Sequence, residues 1–155
     1  DTLADKALHS LWSRFDTSLN PNKYITLTHD DRAAERNGWH INTWISVPLI
    51  GTLYKGTRYA EFMVASNDQT IMFGVTEAEG YKFEPYPGHA GITGISYYCS
   101  NQRLYRLSGS EATSSADCAS GDIVGILVYI SDDKYVARVK FYLNRVLIRD
   151  LDLKT

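Results

Sequence analysis

The sequence predicts an all-β fold, a two-sheet antiparallel β-sandwich preceded by one N-terminal α-helix. Three observations carry that expectation. Short runs rich in β-branched and aromatic residues recur along the chain with turn residues between them. Only one stretch shows helical periodicity. Residues 121–144, GDIVGILVYISDDKYVARVKFYLN, read as a long hairpin. The 155 residues, 44% hydrophobic and 22% charged, suit a single domain with one core. The helix is expected within residues 1–20 and the sandwich within 21–155.

Residues 2–15, TLADKALHSLWSRF, supply the helix. Thr2 with Asp5 resembles a capping box. Ala4, Leu8, Leu11 and Phe15 recur at helical spacing, and Ala7 and Trp12 widen a stripe suited to packing on the main body. Pro21 cannot continue that helix. KYITLTH then alternates, with Tyr24, Thr26 and Thr28 on one face and Ile25 and Leu27 on the other. HINTWISVPL reads as a strand up to Pro48, with Trp39 and Trp44 assigned to the core. RYAEFMVAS and TIMFGVT are further short strands, and GISYYCS and QRLYRL a pair joined near Asn101. VLIRDLDL is a last strand. RAAERNG, EAEGYKFEPYPGHAG and SGSEATSSADCASG are loops, the last with the composition of a mobile surface loop.

Within the hairpin, Ile123 to Ile130 is apolar at both parities apart from Gly125, the pattern of a central strand covered on both faces. After the polar SDDK tip, Ala137, Val139, Phe141 and Leu143 face one way and Arg138, Lys140 and Tyr142 the other. GDIVGILVYI followed by VKFYLN resembles the SPRY domain, also called B30.2-like, a concanavalin-like jelly-roll β-sandwich. KGTRYAEFMV, IMFGVTEAE and SYYCSNQRLYR resemble further strands of that family, in the right order over roughly residues 50–147. Where the family has Gly after the Asn, this chain has Arg145, which must accept a left-handed backbone or use another turn. SPRY domains also continue with more strands past this point, so the resemblance implies that the domain is trimmed, that N-terminal segments replace those strands, or that the loop set is incomplete.

Enzyme chemistry finds little purchase. Glu77 and Glu79 would share a strand face as a carboxylate pair, but beside Gly80 they read as a solvated strand end. His9, His29, His40 and His89 have no metal-ligand spacing. Asp132 and Asp133 suit a solvated turn better than a calcium site. A G-x-S-x-G elbow and a phosphate-binding glycine loop are both missing. The expectation is a non-catalytic protein with no metal and no cofactor. Cys99 and Cys118 also lack ligand spacing and are expected as free thiols, in keeping with an intracellular, cytoplasmic or nuclear setting. No apolar run is long enough to cross a bilayer, and no signal-type leader opens the sequence.

Binding is the better reading. Tyr81, Phe83, Tyr86 and His89 share one loop with two prolines, which stiffen it around aromatic anchors. The SPRY resemblance implies peptide binding through loops at one end of the sandwich, with Tyr86 the first residue to choose. Arg32, Arg36 and Asn37 form a second candidate group, suited to carboxylates or backbone carbonyls of a peptide. Asn101, Gln102 and Arg103, at a turn, form a third. The function expected is therefore a protein-interaction module binding a short peptide or partner domain. A carbohydrate-binding sandwich using Tyr142, Trp44 or Glu77 and Glu79 is one alternative. An RNA-binding sandwich using Arg138, Lys140, Arg103, Tyr98 and Tyr142 is another, which a net charge of -2 does not favour.

Overall fold

The computed structural model describes residues 14–20, 24–37, 44–65, 70–89, 91–113 and 118–153. Among these residues the chain forms ten strands and no helix. The helix expected over residues 2–15 lies outside the described residues except for Arg14 and Phe15. Those two are not helical, and Phe15 pairs with Leu49 in an isolated bridge. Trp39 also lies outside the described residues.

Strands β1 (Ile25–Thr28) and β2 (Ala33–Arg36) form a separate hairpin. The first large sheet contains β3 (Gly56–Met63), β8 (Ile123–Ile130), β9 (Ala137–Leu143) and β10 (Val146–Asp152), in the order β10-β9-β8-β3. The second contains β4 (Met72–Thr76), β5 (Gly94–Tyr98), β6 (Arg103–Arg106) and β7 (Gly109–Ala112), in the order β4-β5-β6-β7. All neighbours are antiparallel.

Period-two alternation drives one face of each sheet inward. Val124, Ile126, Val128, Val139 and Phe141 from the first sheet meet Ile95, Tyr97 and Leu104 from the second in one core. Phe62 and Phe73 touch across it with ring centroids 5.2 Å apart, and Tyr97 and Phe141 at 6.4 Å. At the β7/β10 edge the sandwich closes on charge: the Glu111 carboxylate receives Arg149 at 2.6 Å and Arg106 at 3.4 Å.

The quoted hairpin is β8 and β9. Strand β8 is central, as expected, but its outer parity is covered only in the middle, where the Tyr59 hydroxyl and ring lie over Gly125. Tyr129, on the same outer parity, stays 41% exposed. The two motif residues at the ends of the hairpin are knitted together. Asn144 donates its amide to the Asp122 carboxylate at 3.0 Å and accepts from the Ile123 N–H at 2.9 Å. The second Asp122 oxygen accepts from the Ala119 N–H at 2.7 Å. That N–H first, and the Asn144 amide second, hold the Asp122 carboxyl below the usual carboxylate range.

Two expectations on local structure are corrected. Trp44 to Pro48 forms no strand, because its backbone serves several segments instead of one ladder: Ser46 donates to Phe83, and Pro48 accepts from Asp16. RAAERNG is not all loop, since Ala33–Arg36 pairs with β1. The chain reverses between them through His29, Asp30 and Asp31, all with positive φ, and Arg14 and Arg32 both pair with Asp30. In SGSEATSSADCASG, too, Gly109–Ala112 is strand.

The cysteines are also corrected: Cys99 and Cys118 form a disulfide, their Cα atoms 5.0 Å apart and both side chains fully buried. Nineteen residues of sequence separate them, and only the packing of β5 against the approach to β8 brings them together. The bond removes the cysteine argument for an intracellular setting. A cross-link closing a loop of this length stabilises by about 3 kcal/mol. Denaturant unfolding of the oxidised protein should therefore give a free energy about 3 kcal/mol above that of the reduced protein.

Arg145 takes the left-handed backbone itself, at φ 66, after Asn144 at φ 49. Its guanidinium reaches across the sheet to Glu61, with Nε 3.0 Å from one carboxylate oxygen and a second nitrogen 3.3 Å from the other. The backbone cost is about 1 kcal/mol, and a pair with one exposed partner returns at most about 1 kcal/mol. Arg145→Ala keeps the strain and loses the pair, so it should destabilise by about 0.5–1 kcal/mol in denaturant unfolding. Arg145→Gly loses both and should remain within about 0.5 kcal/mol of the wild type.

Candidate binding surface

Tyr97 and Leu104 point into the core, so their neighbours Ser96, Tyr98, Arg103 and Tyr105 lie on the outer face of the second sheet. The connection from β4 to β5 folds down onto that face. Ser96, only 1% exposed, donates its hydroxyl to the Pro87 carbonyl at 2.6 Å. Gly88 sits so close to β6 that an added Cβ would fall on the Tyr105 carbonyl, and its φ of +87 independently disfavours other residues.

This seating builds an aromatic cluster. Tyr86 meets Trp44 edge-on at 5.6 Å, Tyr105 at 5.9 Å and His89 at 5.2 Å. Trp44 also meets Tyr98 at 5.1 Å. Asn101 donates to the Tyr105 hydroxyl at 2.6 Å, so the Asn101 turn joins the same cluster, and its Oδ1 accepts from the Arg103 N–H. Arg103 turns its guanidinium to Ser110. Burial pushes the Tyr86 hydroxyl above its usual range, and neighbouring Tyr105 adds to the shift.

The earlier half of the loop is anchored differently. Tyr81 donates its hydroxyl to the Ser46 carbonyl at 2.9 Å, and the Ser46 N–H donates to the Phe83 carbonyl at 2.7 Å. Burial raises the Tyr81 hydroxyl, against the opposing hydrogen bond from Ser46. Phe83 projects from this fixed backbone, 38% exposed, with the ring of Tyr24 at 6.4 Å. Beside it opens a groove of about 780 Å³ lined by Ser18, Leu19, Asn20 and Tyr81 to Pro85.

A human SPRY domain solved by crystallography superposes with a TM-score of 0.60 over 83% of this chain and 79% of that one, at 19% sequence identity. The fold is that of a SPRY domain. No family model and no curated protein matches the sequence. At that identity the SPRY likeness establishes architecture, and the surface must be read from this chain's own residues.

The fold brings Tyr86 and His89 together, with Asn101 joined to them through Tyr105 and Arg103 through Asn101, while Tyr81 and Phe83 line the neighbouring groove. Asn37 approaches from the β1–β2 hairpin, where its N–H donates to the Tyr24 carbonyl and its side chain bonds the Thr26 hydroxyl. Arg32 is not brought to these residues; it pairs with Asp30 at 2.8 Å within its own hairpin, and Arg36 lies in β2 opposite Ile25. Trp44 and Tyr98, named from sequence as binding residues only for the carbohydrate and RNA alternatives, belong to this cluster, and Tyr105 in the cluster and Ser18 to Asn20 in the groove were missed. Alternation around Tyr97 could have placed Tyr98 and Tyr105 outside, whereas no local signal marks Ser18 to Asn20.

The alternative sites do not assemble. Glu77 and Glu79 lie past the end of β4, exposed. Trp44 belongs to the aromatic cluster, while Tyr142 stacks edge-on with Tyr59 at 6.0 Å on the other sheet. Arg138, Lys140 and Tyr142 therefore face away from Arg103 and Tyr98, and the RNA-binding set makes no single surface. Asp133 spends its carboxylate within its turn, on the Ser131 hydroxyl at 2.5 Å and the Tyr135 N–H at 3.0 Å.

Two measurements check this geometry. Gly88→Ala should unseat the loop and cost about 1–3 kcal/mol in denaturant unfolding, with loss of the near-ultraviolet signal of the aromatic cluster. Tyr81 and Tyr86 have folded pKa values above the unfolded value of about 10. The stability they confer is complete below about pH 10 and is lost as pH rises through the folded values, because the unfolded chain releases those protons first. Unfolding free energy should fall above about pH 10, and less steeply in the Tyr81→Phe/Tyr86→Phe variant.

Proposed function

We propose that this SPRY-fold domain is a non-catalytic protein-interaction module that takes a short peptide, or an extended segment of a partner domain, in the groove between residues 18–20 and 81–85. One observation carries the reading. Phe83 and Leu19 remain 38% and 46% exposed on the two walls of a groove whose backbone is tied down by Ser46 and Tyr81. Exposed apolar side chains on a pre-formed loop give anchor area with little ordering cost. Lys82 and Glu84 beside them offer one charge of each sign to a partner's side chains.

Tyr86, His89, Asn101 and Arg103 extend the surface along the second sheet. Tyr86 is half-buried among Trp44, Tyr105 and His89, so its part is to hold the loop and present one ring edge. SPRY folds serve as protein-interaction modules in general, which supports the choice of a protein ligand over other classes.

Selection from a displayed peptide library against the wild type, followed by affinity measurement on the enriched peptides, tests the reading. Phe83→Ala and Leu19→Ala should each weaken binding about 30-fold, the loss of an anchor worth about 2 kcal/mol. Enriched peptides that bind both variants as tightly as the wild type would remove the groove from consideration.

A further inference from the structure

The outer face of the β10-β9-β8-β3 sheet carries a second, chemically different hollow. Its volume is about 340 Å³ and its lining is Thr57, Leu127, Tyr129, Arg138, Lys140 and Asp150. That lies at the low end of the roughly 300–1,000 Å³ typical of small-ligand sites. The register explains the lining. One cross-strand row runs Thr57, Tyr129, Arg138, Asp152, and the next runs Tyr59, Leu127, Lys140, Asp150. Central β8 therefore supplies an apolar floor. Strand β9 supplies two cations, β10 the Asp150 carboxylate and β3 the Thr57 hydroxyl.

Charge balance decides the ligand class. Arg138 donates to one Asp150 oxygen through Nε at 3.0 Å and a terminal nitrogen at 2.9 Å. Asp150 also stands opposite Lys140, and Asp152, just outside the lining, opposite Arg138, so the two rows together carry two cations against two carboxylates and offer a phosphate or polyanion little net attraction. Lys140 is half-buried and makes no hydrogen bond or ion pair among the described residues. Lys140 and Asp150 are direct cross-strand partners on strands roughly 5 Å apart, and Tyr129, 41% exposed, lines the same hollow. A donor and an acceptor side by side in one hollow with an aromatic ring match the vicinal hydroxyls and the flat C–H face of a sugar ring.

We propose that this hollow binds a neutral saccharide, one pyranose ring lying on Tyr129 with adjacent hydroxyls shared between Lys140 and Asp150. The site lies on the opposite sheet from the peptide groove and is independent of it. The test is an amide NMR titration of the whole chain with three neutral trisaccharides, of glucose, of mannose and of N-acetylglucosamine. At least one should shift the resonances of Leu127, Tyr129 and Lys140 saturably. Tyr129→Ala and Lys140→Met, each confirmed to melt like the wild type, should weaken that sugar about tenfold or more, and Phe83→Ala should leave it unchanged. Three results would overturn the proposal: no shift at this face with any of the three sugars at tens of millimolar, equal binding by Tyr129→Ala, or displacement of the sugar by a peptide from the groove selection.

Discussion

The connection between β4 and β5 can lie flat on the outer face of its own sheet, and the binding surface depends on that close approach. Gly88 is the point of contact: its missing side chain lets the loop backbone rest against the Tyr105 carbonyl. The Ser96 hydroxyl holds the neighbouring turn by donating to the part-buried Pro87 carbonyl. Once the loop is down, Tyr86 has no path except between Trp44, Tyr105 and His89. Phe83, one turn earlier, is left projecting over the groove. The Gly88 contact fixes the Tyr86 end of the loop, and the Ser46 and Tyr81 hydrogen bonds fix the Phe83 end.

The two outer faces of the sandwich differ for a topological reason. The second sheet is covered by its own β4–β5 connection and by the segment around Trp44, giving an aromatic, partly desolvated surface. The first sheet has no such cover among the described residues. Its outer face keeps mixed charges in alternating rows, with the Tyr59 ring filling the space over Gly125 and Arg145 spanning the sheet to Glu61. Burial and the hydrogen bond to Glu61 push the Tyr59 hydroxyl far above its usual range, so it stays a donor in that span. One domain thus presents two surfaces of different chemistry.

Much of the frame was legible because it rests on local alternation. Val139 and Phe141 against Arg138, Lys140 and Tyr142 could be assigned to faces from period two alone, and the register confirms them. The Asp122–Asn144 link makes physical sense of the GD and FYLN motifs, which sit at the two ends of one hairpin. The β2 strand was missed because Ala33 to Arg36 carries no β-branched or aromatic residue; its pairing is imposed by β1 and the turn at Asp30. Trp44 to Pro48 misled in the opposite direction, having strand-like composition but hydrogen-bond partners on separate segments.

By itself, the sequence determined the all-β class, the strand order of the hairpins, the inward residues and the aromatic loop, since each depends on neighbours within a few positions. Tertiary structure alone decided the Cys99–Cys118 bond, the groove between Leu19 and Phe83, and the rows that place Lys140 and Asp150 in one hollow with Tyr129. Each of these joins residues far apart in the chain. Their meeting is set by which sheets pack and in what register, and periodicity within one segment carries no information about that.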